Sequence, residues 1–105
     1  MKKITRYTVS IGLNDKDSKK QEVTTEEAKN IINNSLKASG CDATLTEVNG
    51  VYTHQNGERV TERSYNAEIL FCNKKQVFNF ADMVKKALNQ ESVVIKKDKI
   101  KSVLY

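Results

Sequence analysis

Apolar side chains recur along this chain with two different periods, and the places where the period changes mark the elements. Ile4-x-x-Tyr7-x-Val9-x-Ile11-x-Leu13 alternates apolar with polar, the spacing of a strand buried on one side. Asn14–Glu22 then carries no apolar side chain and reads as a loop. Thr24-x-x-Glu27 follows as a capping box, in which the hydroxyl accepts an orphan helix amide and the Glu reaches back. Behind it Ala28, Ile31, Ile32, Ser35 and Leu36 fall on one helical stripe, and Gly40 suits the left-handed position past the helix end.

Two long polar–apolar segments, Cys41–Gln55 and Glu58–Cys72, flank Asn56-Gly57, the pair favoured in a two-residue hairpin turn. That turn pairs His54 with Arg59, Tyr52 with Thr61 and Val48 with Tyr65. Further from it, Ala43 and Leu45 meet Ala67, Ile69 and Phe71 only if the register changes parity. A β-bulge near Thr46–Val48 is therefore expected. Val77, Phe80, Ala81, Val84 and Leu88 form a second helical stripe. Val93-Val94-Ile95 opens a last strand, which either continues or turns at Lys97-Asp98. The expected core is Val9, Ile11, Ile31, Ile32, Leu36, Leu45, Ile69, Phe71, Val77, Phe80, Val84, Leu88 and Val93.

The element order is strand, helix, strand, strand, helix, strand. This predicts an α+β, ferredoxin-like βαββαβ fold: a four-stranded antiparallel sheet of order 4-1-3-2, two helices on one face, and a long hairpin between the second and third strands. The length of 105 residues fits a single domain, 1–105. The runner-up is an open meander with the last strand split.

Composition narrows the function classes. No apolar run approaches the length of a membrane span, and Met-Lys-Lys leads into Ile4 without a signal-peptide core, so a cytoplasmic protein is expected. The net charge is +5, and only three of the 18 basic residues are Arg, so the placing of Arg is more informative than that of Lys.

Ile11-Gly12-Leu13, the segment Gly50–Ser64 with Val60-Thr61-Glu62-Arg63-Ser64, and Gln90-Glu91-Ser92-Val93 resemble an uncharacterised bacterial family. In it a strand ending in Gly-Leu, a Glu-Arg-Ser strand and a Gln-Glu-Ser-Val strand mark a small ferredoxin-like domain. The texture also resembles small accessory proteins of phages and mobile elements. That resemblance implies a protein countering host defence by binding a protein or a signalling nucleotide.

Catalytic and metal constellations are sparse. His54 is the sole His, beside a turn; Cys41 and Cys72 form no ligand motif and read as two apolar-like thiols; the four Gly make no phosphate loop. Asn14-Asp15-Lys16-Asp17-Ser18 lacks the Gly and Glu of a calcium loop. Glu62 and Glu68 share a strand face but stand too far apart for an acid/base pair. The expectation is a non-catalytic binding protein without cofactor or metal.

Two basic features remain. Strand pairing brings Lys2, Lys3 and Arg6 near Lys97, Lys99 and Lys101 as a basic patch, whose plainer reading is edge protection. On the hairpin, Tyr52, His54, Arg59, Thr61 and Arg63 are expected on one side, beyond the helices, as a site for an anionic, nucleotide-like ligand. The expected assembly is a homo-oligomer with Val48, Tyr52 and Val60 near the contact. The alternative is an inhibitor docking on a host protein through Thr8, Ser10, Ser64, Asn66 and Glu68. Direct nucleic-acid binding is disfavoured, because Phe71, Phe78 and Phe80 are assigned to core stripes and leave no stacking row.

Overall fold

A computed structural model describes residues 1–53 and 56–105. The elements are β1 (Lys2–Gly12), α1 (Thr25–Ser39), β2 (Ala43–Thr53), β3 (Arg59–Leu70), α2 (Lys74–Ala87) and β4 (Val94–Ser102). The sheet order is β2-β3-β1-β4 with every neighbour antiparallel, which is the expected ferredoxin-like arrangement. β4 runs unbroken through Lys97-Asp98.

The helix signals behave as their chemistry requires. Thr24 accepts the Glu27 amide at 3.0 Å, and Gly40 takes a left-handed φ of 69°. Asn73 caps α2 with a reciprocal box: it accepts from the Gln76 amide at 2.8 Å, and Gln76 Oε1 accepts from the Asn73 amide at 3.0 Å.

Odd-numbered residues of β1 and β3 face the helices. Tyr7, Val9, Ile11, Tyr65, Ala67 and Ile69 pack there with Ala28, Ile32, Leu36, Val77, Phe80, Ala81, Val84 and Leu88. Ile31, Leu45 and Val93 are partly buried against this core. Phe71 is not part of it. It follows the last residue of β3 with a φ of 64° and stands 60 % exposed, because the chain turns there toward the Asn73 cap. Phe78 is also outside the core, its ring beneath Lys74 Nζ at 5.5 Å. Of the three phenylalanines only Phe80 is buried.

The hairpin differs from expectation in one decisive respect. Its pairs run in one even register, from Ala43 opposite Ile69 to Thr53 opposite Arg59, with no bulge. Thr53 opposite Arg59 is incompatible with a two-residue turn at Asn56-Gly57, where Asn56 Oδ1 accepts the Glu58 amide at 2.9 Å and Gly57 takes a φ of 86°. The core pairs Ala43–Ile69 and Leu45–Ala67 set this register from the buried end of the hairpin, overriding the local turn preference.

Candidate functional site

The one-residue shift redistributes the expected site. Arg59, Thr61 and Arg63 lie on the helix side of the hairpin; Tyr52 lies on the opposite, open face, across from Val60. His54 lies outside the described residues. Arg63 is held by Glu47 at 2.9 Å. The basic patch divides in the same way. Lys3, Lys97, Lys99 and Lys101 take helix-side register positions, with Lys99 Nζ donating to Thr5 Oγ1 at 2.7 Å, while Lys2 and Arg6 take open-face positions. Asp98 engages Arg6 through both oxygens, at 3.0 and 2.6 Å, raising the guanidinium's pKa and lowering the carboxyl's. Arg6 is thus already committed to a partner on its own sheet.

The open face instead builds a depression of about 1090 Å³ at the hairpin end of the sheet. Its floor is Ser10 and Gly12 of β1, Gly50 and Tyr52 of β2, and Val60, Glu62 and Ser64 of β3. Asn14, Asp15, Lys16 and Lys19 wall one side, and Gln90, Glu91 and Ser92 another. The three segments that carried the family resemblance, around Gly12, Glu62 and Gln90, therefore meet at one place.

Glu62 is the centre of this arrangement. Gly50 stands directly across from it on β2, so no side chain covers it from that strand. On the other side its carboxylate leans over Gly12 and accepts the Asn14 amide at 2.8 Å. Tyr52 stands on the same face one pair further toward the loop. Burial raises the Tyr52 pKa and the neighbouring Glu62 charge raises it further, so the phenol keeps its proton at neutral pH.

The walls are tied together by side chains. Gln90 is buried and donates to the Asn14 carbonyl at 2.6 Å and to the Leu88 carbonyl at 3.2 Å. Asn89 donates to Asp15 and Asp17, each at 2.9 Å, and the first of these bonds is the main reason the Asp15 pKa is lowered. An isolated bridge between Asn14 and Gln21 closes the base of the loop. Four carboxylates (Asp15, Glu58, Glu62, Glu91) line the depression against two ammonium groups (Lys16, Lys19). That balance suits a cation better than an anion.

Sequence reading did not single out Glu62, Gly12, Asn14 or Gln90 as a site. The signal was the parity conflict inside the hairpin: an even register satisfies every core pair without a bulge and puts Tyr52 beside Glu62. Among the described residues no group of three or more His, Cys, Asp or Glu is placed to hold a metal ion. Among them also, no helix is long and apolar enough to cross a membrane.

No family model matches the chain, and no curated protein matches it in sequence. Solved structures do. The chain is similar to a phage SAM lyase in complex with S-methyl-5'-thioadenosine: identity 24%, coverage 97% of this chain and 92% of that one, TM-score 0.68. For a phage SAM lyase in the apo state the identity is 25%, the coverage 96% and 91%, and the TM-score 0.65. The periplasmic divalent cation tolerance protein CutA from Archaeoglobus fulgidus shares the fold at 13% identity, over 94% of this chain and 87% of that one, with a TM-score of 0.62. The fold is thus that of a small ferredoxin-like domain with phage proteins among its structural neighbours.

Proposed function

We propose that this chain is a phage-type accessory protein that binds S-adenosylmethionine (SAM) in the open-face depression and removes it by cleavage to S-methyl-5'-thioadenosine. One observation carries the reading: a carboxylate, Glu62, and a protonated phenol, Tyr52, share the floor of a depression whose lining as a whole is net acidic. SAM carries a sulfonium, an ammonium and a carboxylate, with a net positive charge. An acidic depression containing an aromatic ring attracts such a cation. The likeness to phage SAM lyases across nearly the whole chain supports the same ligand.

The chemistry also fits a site with neither thiol nor imidazole among its described lining residues. S-methyl-5'-thioadenosine is SAM without its four-carbon amino-acid arm. The arm's own carboxylate oxygen can attack the carbon attached to sulfur and close a five-membered lactone. The carbon–sulfur bond breaks, its electron pair stays on sulfur, and the sulfonium becomes a neutral thioether. No proton moves and no protein nucleophile is required. The protein's part is to fold the arm back on itself and to exclude water while two opposite charges merge. Glu62 is best used on the substrate ammonium, which keeps its charge throughout. A carboxylate against the sulfonium would stabilise the ground state more than the transition state. Catalysis thus replaces the non-catalytic role expected from the sequence, and a sulfonium cation replaces the anionic ligand. Depleting SAM removes the methyl donor that host modification and defence depend on.

Calorimetric titration with SAM, followed by chromatography of the mixture, tests this reading. Binding together with accumulation of S-methyl-5'-thioadenosine is expected, and Glu62→Gln should weaken binding about tenfold or more through the lost charge-assisted contact. Binding without product leaves sequestration in place of cleavage. Absence of both removes the proposal. The alternative then stands of an inhibitor acting on a host protein through Thr8, Ser10, Ser64, Asn66 and Glu68.

A further inference from the structure

We infer that Gly12 is a positioning residue for the open-face site: having no side chain, it lets the Glu62 carboxylate lie across the end of β1 and lock onto the Asn14 amide. The inference rests on the proposed function for its ligand, but not for its geometry. A β-carbon at position 12 would lie 2.5 Å from Glu62 Oε1 and 2.6 Å from both Cδ and Oε2. All three are far closer than van der Waals contact, and all three belong to one carboxyl group. Glycine is not needed here for its backbone, since Gly12 ends β1 outside the left-handed φ region. An alanine can therefore occupy the position without strain, provided Glu62 moves away.

Glu62 is free to do so, because its carboxyl lies at the end of a flexible side chain and Gly50 leaves the opposite side unfilled. The consequence of Gly12→Ala is thus specific: the fold stays, while the carboxylate loses the 2.8 Å bond from Asn14 and its fixed direction. Asn14 is itself held, since its carbonyl accepts from the buried Gln90 side chain at 2.6 Å. The chain Gln90–Asn14–Glu62, with Gly12 beneath it, fixes one charge at a defined point of the floor. A carboxylate so fixed loses little entropy on meeting an ammonium, and that loss is what a mobile one would suffer.

The test compares wild type, Gly12→Ala, Glu62→Ala and the double variant by two readouts. The first needs no ligand: the chemical shift of the Asn14 amide, read by NMR at neutral pH. Glu62→Ala should move it from its wild-type position by removing the carboxylate that accepts from this amide, and Gly12→Ala should move it the same way. The second is SAM affinity. Gly12→Ala should weaken it about tenfold or more in the wild-type background and leave it unchanged when Glu62 is already Ala.

A wild-type amide shift retained in Gly12→Ala overturns the inference. So does an equal loss of affinity in the Glu62→Ala background, which would mean that the substitution merely disturbs the strand. Should wild type bind no SAM, the proposed ligand falls, and the amide shift alone still decides whether Gly12 positions Glu62.

Discussion

Cys41 and Cys72 show how single residues take their properties from their surroundings. The sequence offers two thiols without a motif. The structure places Cys41 in the core and Cys72 half-buried beside it, with Cys41 Sγ 3.9 Å from the Ser39 carbonyl and Cys72 Sγ 3.8 Å from the Gly40 carbonyl. Burial first, and then Cys72, push the Cys41 thiol from an ordinary 9.0 up to about 12. Folding therefore favours the protonated thiol. Its contribution to stability is complete below the unfolded value of 9.0 and is lost as pH rises through the folded value of about 12. Urea midpoints taken between those limits should fall more steeply for wild type than for Cys41→Ala, which lacks the titrating group. Alkylation at neutral pH, read by mass spectrometry, should mark Cys72 well before Cys41, because only a thiolate reacts and only Cys72 is accessible.

At the scale of elements, legibility followed the range over which each signal acts. The helices were readable because caps and stripes are local: Thr24 and Gly40 bracket α1 with the residues that chemistry requires. The α2 cap is as local, with Asn73-x-x-Gln76 standing directly before the Val77 stripe. Asn73→Ala should remove the bond that its side chain accepts from the Gln76 amide, while the backbone amide at 73 can still donate to Gln76 Oε1, and should lower unfolding stability by about 1 kcal/mol, measured by denaturant melts with an unchanged slope. The hairpin register is less legible because two signals in the sequence disagree. Asn56-Gly57 argued for a short turn, whereas Ala43, Leu45, Ala67 and Ile69 argued for an even register, and the buried residues set the outcome. That single choice decided the site, since one residue of slip moves Tyr52 from the company of Arg59 and Arg63 to that of Glu62. Of the three motifs of the family resemblance, Gly12 ends β1 and Glu62-Arg63-Ser64 lies within β3, whereas Gln90–Val93 precedes β4 instead of forming a strand. Their convergence was invisible without the crossover that lays β3 between β1 and β2.

The whole molecule is longer than a compact chain of its size. Its extents are 46 × 27 × 22 Å and its radius of gyration is 14.5 Å, where about 13 Å is usual for this length. It exposes 7128 Å², against roughly 5,900 Å² for a monomer of its mass. The excess follows from a hairpin that outruns both helices and from a sheet with one face uncovered. Val48, Tyr52 and Val60 all stand on that open face and the last two line the depression, so a second copy seated there would also cover a ligand bound in it. The proposed cleavage merges opposite charges and needs water kept away, which a depression open on one side does poorly by itself. The expected outcome of light scattering at micromolar concentration is therefore a mass that is a multiple of 11.9 kDa. Val60→Asp, which puts a charge into the contact without touching the core, should shift the mass to that of one chain and should lower SAM cleavage along with it. A wild type that scatters as a single chain while cleaving SAM at full rate would show that one copy closes its own site, and the role given to the open face in assembly would have to be abandoned.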